Sequence, residues 1–202
     1  MTTTDRHEES TRGPGRPRCE VVRHRILEAA AQLLEEVGFA NATVDAIAER
    51  AGASKATVYR WWPHKPAVLI EAFRESVAGE LPFGITGRME DDLQQQLVQF
   101  VTMLRGRKGR AFAAFIAGAQ SDADLAEAFR SSWIAPRREE AKVVLQHYID
   151  AGELPRDLDL DLAIELLYAP LYYRLLTGYG PMTDQYAISV ARFALAGIRA
   201  EK

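Results

Sequence analysis

The chain has 202 residues, 48% hydrophobic and 26% charged, with a net charge of −3. That balance excludes a mostly disordered chain and argues against a strongly basic nucleic-acid coat. One cysteine, Cys19, excludes an intrachain disulfide, and no apolar run approaches the roughly 20 residues of a membrane helix.

The first thirty residues hold charge where a signal peptide would hold an apolar stretch. A cytoplasmic protein in a reducing compartment, with no membrane contact, is therefore expected. The charge is unevenly spread. Residues 1–66 carry ten Lys/Arg against nine Asp/Glu, and the remainder carries fifteen against nineteen. Arg12, Arg16, Arg18, Arg23 and Arg25 lie close together with Glu20 as their one opposing charge. A short basic arm on an acidic body suits an anionic partner touched at one end, although a solvated terminus has the same composition.

Residues 1–18, with Gly13, Pro14, Gly15 and Pro17, are expected to form a flexible arm. After it the helical period dominates. Val22, Ile26, Ala30, Leu33 and Val37 mark one face of a first helix that stops at Gly38. Thr43 is a good N-cap for a second helix, with Val44, Ile47, Ala48 and Ala51 on its inner face and Gly52 at its end. Ser54 caps a third, which must stop by Pro63. Pro66 opens a fourth through Val77. Helices follow over 93–104, 112–119, about 122–151 with an interruption at Pro136, 160–176 with Pro170 inside, and 184 to about 199. No segment sustains the alternation of a strand. The expectation is an all-α protein of about nine helices, organised as an arm (1–18), a three-helix reading head (19–65) and a helical body (66–202).

Residues 44–63 carry the functional signal. Two short helices meet across Ala51-Gly52-Ala53, Ala48 is small where they must cross closely, and Ile47 and Val58 are apolar where their inner faces meet. This is the physical specification of a helix-turn-helix, whose second helix lies in the major groove of DNA. Its outward face carries Lys55, Ala56, Thr57, Tyr59 and Arg60, small residues for close approach and long polar ones to reach bases and phosphates. Lys65, beside the start of the fourth helix, would make a phosphate clamp with that helix's dipole. Gly15-Arg16-Pro17-Arg18 is similar to short arms that enter A·T-rich minor grooves, which assigns Arg16 and Arg18 to DNA. A packed helical hairpin without nucleic acid satisfies the same 44–63 pattern. An all-α ligand-binding protein or enzyme is the alternative function.

Residues 26–73, from Ile-Leu-Glu-Ala-Ala-Ala through Thr-Val-Asp-Ala-Ile-Ala-Glu-Arg-Ala-Gly to Ser-Lys-Ala-Thr-Val-Tyr-Arg-Trp-Trp-Pro-His-Lys, resemble the DNA-binding domain of TetR-type regulators. The resemblance implies a homodimeric, ligand-responsive repressor with a divergent helical C-terminal domain. It also implies DNA contacts from Thr43, Ser54, Lys55, Ala56, Thr57, Tyr59, Arg60, Trp61 and Lys65. Trp61 stands where many members carry histidine, so its contact is expected through the ring or the indole N–H. Trp62 is expected in the core, because the next helix packs there.

An enzyme reading finds little support. The four histidines are scattered, and there is no nucleophile elbow and no phosphate-binding glycine loop. No metal or cofactor is expected. Phe100, Met103, Phe112, Phe115, Trp133, Tyr148, Tyr168 and Tyr172 are candidates for a ligand pocket, against the alternative of ordinary core packing. A buried tyrosine needs a hydroxyl partner, which a ligand can supply. Such a pocket would suit a hydrophobic or aromatic small-molecule inducer. A homodimer on a pseudo-palindromic operator doubles the bases read. Its expected face is Leu160, Ile164, Leu167 and Leu171 with Ile188, Ala191, Leu195 and Ile198.

Overall fold

The computed structural model describes residues 16–200, and the side chains of 19–199. Of the arm expected over 1–18, residues 1–15 and the side chains of Arg16 and Arg18 lie outside the described residues, whereas the backbone of 16–18 is already helical, with Pro17 in a first turn that tolerates it. α1 (Arg16–Asn41) leaves helical geometry at Gly38, where φ is 76°. Glycine adopts that conformation at little steric cost, and the chain turns there as the sequence implies. α2 (Val44–Ala51) is capped by Thr43, whose hydroxyl accepts from the Ala46 amide at 3.2 Å, and it ends at left-handed Gly52. α3 (Lys55–Trp61) is capped by Ser54, which accepts from the Thr57 amide at 3.1 Å. α4 (Lys65–Val77) starts from His64, whose Nδ1 accepts from the Ala67 amide at 3.2 Å. α1 lies along both α2 and α4, and Ile26, Ala30, Ile47, Val58, Trp62 and Leu69 close the core between them.

The body is built from α5 (Met89–Arg105), α6 (Arg107–Gly118), α7 (Ala123–Phe129), α8 (Ala135–Asp150), α9 (Leu160–Thr177) and α10 (Asp184–Ala200). α5 and α6 join at so tight a corner that a Cβ on Gly109 would stand 1.8 Å from the Leu104 carbonyl oxygen. α7 and α8 are one rod widened by a π-helical turn at Arg130–Ile134. The sequence placed an interruption at Pro136; it falls just ahead of that residue. Proline has no N–H for the Ser132 carbonyl and its ring crowds that oxygen, so the backbone widens there. Taking that rod as one, the described residues form nine helices and no strand.

α4 bridges the two parts. Its Phe73 packs against Phe112 (5.8 Å between ring centroids), Phe115 (5.4 Å) and Trp133 (5.3 Å) of the body. Phe39, just past the Gly38 break, meets Phe115 edge-on at 5.4 Å.

The expected dimer face is turned inward. Ile164, Leu167 and Leu171 of α9 and Ala191, Leu195 and Ile198 of α10 are buried in the chain's own core, and Leu160 and Ile188 are half-buried. The reason is that α10 lies along α5 and uses its most regular apolar stripe there. α9 is apolar around most of its circumference, so sequence periodicity cannot say which side faces out. The side that does face out carries Leu162, Leu166, Tyr173 and Leu176, with Phe193 on α10.

Candidate nucleic-acid interface and ligand cavity

The outward face of α3 is polar and open. Ser54, Lys55, Ala56, Tyr59 and Arg60 are exposed, and Thr57 is half-buried with its hydroxyl 2.8 Å from that of Ser54. Val58, the inner residue, is buried. Tyr59 is 45% exposed although aromatic, which presents a ring and a hydroxyl to whatever approaches. The Lys55 ammonium lies 3.0 Å from Asp45 of α2, and that hydrogen bond raises its pKa and fixes it as a cation. Thr43 is exposed, with its hydroxyl engaged as the α2 cap.

Two residues sit differently from their expected roles. Lys65 turns back into the head, donating to the Phe39 carbonyl at 3.0 Å and lying 4.6 Å from the centre of the Phe39 ring. It neutralises the carbonyl end of α1, a favourable place for a cation. Trp61 is half-buried, and its indole N–H is buried without a hydrogen-bond partner among the described residues, so it does not stand on the open face. Trp62 is core, as its place before α4 implies, and its indole donates to Glu71 at 2.5 Å.

Glu71 also pairs with Arg23 of α1, and Arg23 reaches Glu75 at 3.6 Å. This link between α1, the end of α3 and α4 was not singled out from sequence. A carboxylate on the inner side of a helix that opens with proline was the available signal.

In the body, a cavity of about 270 Å³ lies between α5, α8 and α9. Phe100, Trp133, Tyr168 and Tyr172 line it, as the sequence proposed, together with Phe83, Ile134, Ile164 and Ala169. Burial raises the pKa of both tyrosines, that of Tyr172 to about 12, so their hydroxyls stay neutral donors and acceptors. Charge enters from Arg137, Arg138 and Glu165. Arg138 is engaged by Asp161 at 2.7 Å and Glu165 at 3.3 Å at the cavity mouth.

The other four expected pocket residues lie elsewhere. Phe112 and Phe115 are fully buried in the cluster beneath Phe73, and Met103 is buried on α5. Tyr148 already has an internal partner: its hydroxyl donates to Asp92. Asp92 further accepts from the Thr86 amide at 2.7 Å and hydroxyl at 2.6 Å. Side-chain type made these residues candidates, but only packing decides which rings meet a void.

No cluster of three or more metal-ligating side chains occurs among the described residues, and no helix there is long and apolar enough to cross a membrane.

Residues 26–72 match the family described as bacterial regulatory proteins, tetR family, and residues 85–194 match the tetracyclin repressor-like C-terminal domain. The HTH-type transcriptional regulator YdeS of Bacillus subtilis is 39% identical over 186 residues, covering 92% of this chain and 94% of the relative. The DNA-binding transcriptional repressor TetR of Mycobacteroides abscessus is 30% identical over 166 residues, covering 80% of this chain and 85% of that protein. Among solved structures, the TetR family transcription regulator SCO0332 is similar with a TM-score of 0.82 and 34% identity, covering 88% of this chain and 98% of its own.

Proposed function

The chain belongs to the TetR family of bacterial transcription regulators, and from this premise we propose that it binds a pseudo-palindromic operator as a homodimer and leaves it when a compact aromatic or hydrophobic molecule fills the cavity between α5, α8 and α9. It is a DNA-binding regulator, and such regulators typically act as ligand-responsive repressors and are generally not enzymes. The cavity carries the proposal for the ligand, because five aromatic rings line it and its buried tyrosines offer hydroxyls.

For the operator, the support is the exposed polar face of α3, with Tyr59, Arg60 and Lys55 reaching outward and Ala56 allowing close approach. A helix of this length reads few base pairs, so two heads must be held one helical turn of DNA apart. The outward stripe of Leu162, Leu166, Tyr173 and Leu176 on α9, flanked by Phe193, supports the pairing of bodies. We take the head as residues 19–65 and the body as 66–202, with α4 serving both. Arg16 and Arg18 are retained as candidate minor-groove contacts on the sequence pattern alone.

Selection of genomic fragments by the purified protein tests this reading. A recovered sequence with two-fold symmetric half-sites, bound more weakly as salt rises, is expected. Failure to enrich any sequence would remove the operator from the account.

A further inference from the structure

The segment that follows α4 is held from the cavity wall. Arg137 Nη1 donates to the Leu81 carbonyl at 2.9 Å. Its guanidinium carbon lies 4.1 Å from the centre of the Phe83 ring. Gln96 of α5, in the amide orientation that satisfies both neighbours, donates to the Pro82 carbonyl at 2.7 Å and accepts from Arg137 Nη2 at 2.8 Å. Three consecutive residues just beyond α4 are thus clasped by one arginine and one glutamine. Arg137 also lines the cavity, and it lies one helical turn after Trp133, whose ring touches both the cavity and Phe73 of α4.

We propose that Arg137 is the specificity-determining residue of this cavity, that it selects compact aromatic molecules bearing a carboxylate, and that capturing this group loosens its clasp on Leu81–Phe83. The proposal rests on the cavity being the ligand site. An anionic oxygen pair takes adjacent guanidinium N–H groups in parallel. Nη1 is engaged by Leu81 and by Glu140 at 2.7 Å, and Nη2 by Gln96. Turning the fork toward a ligand draws it away from Leu81. Room exists on the far side of the same wall, where a second, more polar hollow lies against Arg74, Glu75 and Ala78 of α4 and its end.

Charge decides the sign of the group selected. Glu140, the carboxylate that pairs with Arg137, is exposed to solvent, whereas Glu165 in the cavity is already bonded to Arg138. The hydroxyl-bearing rings of Tyr168 and Tyr172 are neutral and Glu165 is paired with Arg138, so Arg137 and Arg138 against Glu165 leave the cavity lining with a net positive charge. An amide or ester isostere offers one weaker acceptor in place of two charged ones.

The probes are 2-naphthoate and its neutral isostere 2-naphthamide, titrated calorimetrically into wild-type protein, Arg137→Gln and Gln96→Met. Wild-type protein should prefer the acid by roughly tenfold or more, and Arg137→Gln should abolish that preference. Gln96→Met keeps the cation but removes the hold on Pro82. It should retain the acid preference while weakening operator binding by the ligand-free protein, and it covers the case in which Arg137→Gln does not fold. Equal affinity of wild-type protein for acid and amide, or absent binding of both, overturns the proposal. So does operator affinity that Gln96→Met leaves unchanged. Failure of the broader reading has a separate signature: the ligand-free wild-type protein would then bind no operator, whatever the probes do.

Discussion

Tyr148→Phe removes one oxygen from a fully buried ring and leaves its packing in place. In the native fold that hydroxyl is one of three donors holding the buried Asp92 carboxylate, with the amide and hydroxyl of Thr86 as the others. Burial works to raise the Asp92 pKa, but hydrogen bonds from Thr86 and Tyr148 outweigh it and hold the group below the usual carboxylate range. A hydrogen bond to a charged acceptor contributes about 1.5–3 kcal/mol, so the substitution should cost about 2 kcal/mol near neutral pH. At about 2–4 °C per kcal/mol for a chain of this size, the melting temperature should fall by about 4–8 °C. The sign of the pH dependence follows from linkage. A depressed carboxylate pKa stabilises the fold above the unfolded value of about 4, and that stability is lost as the carboxyl protonates through its lower native value. On the alkaline side, burial and then Asp92 push the Tyr148 pKa up from 10.0 to about 12. Its contribution is present below about pH 10 and disappears as pH rises through about 12. Urea titrations of both proteins from pH 3 to pH 8, with 2-naphthoate binding measured in parallel, provide the assay. The difference between the proteins should shrink below pH 4, and probe affinity should not change. A substitution that is silent at pH 7, or one that alters probe affinity, would refute the structural role assigned to Tyr148.

Three further outcomes follow from the geometry. Tyr59→Ala should weaken operator binding roughly tenfold or more without lowering the melting temperature, as measured by fluorescence anisotropy and calorimetry, because the ring is exposed and packs in no core. Leu166→Asp with Phe193→Asp places charge on the outward stripe, where the side chains are 47% and 69% exposed; light scattering should show a folded monomer with collapsed operator affinity. Gly109→Ala must push the α5–α6 corner apart, since its Cβ would lie 1.8 Å from the Leu104 carbonyl oxygen; urea unfolding should report a loss of about 2 kcal/mol or more.

The head was legible in the sequence because its signals are local. Thr43, Ser54 and Gly52 each act within one turn of where they stand, and caps and a left-handed glycine leave their mark on the residues beside them. The cavity was half legible for the opposite reason. Phe112 and Phe100 look alike as residues on apolar stripes, but one fills the cluster beneath Phe73 and the other borders the cavity. Arg137 gave no sequence signal for the clasp, since its one local partner is the ordinary i,i+3 carboxylate Glu140, while the others are a carbonyl 56 residues earlier and an amide on α5. The outward side of α9 was misread because Pro170 and a nearly uniform apolar surface erase the periodicity that would have oriented it.

The most direct measurement of the account concerns the link between cavity and head. A compound that raises the melting temperature of the wild-type protein but not of Tyr172→Ala is a cavity ligand by definition. Its dissociation constant is then measured with and without saturating operator. Linkage requires operator to weaken the ligand by the factor by which the ligand weakens operator, and the account predicts equal factors well above one. A ligand bound with the same affinity in both conditions would contradict it.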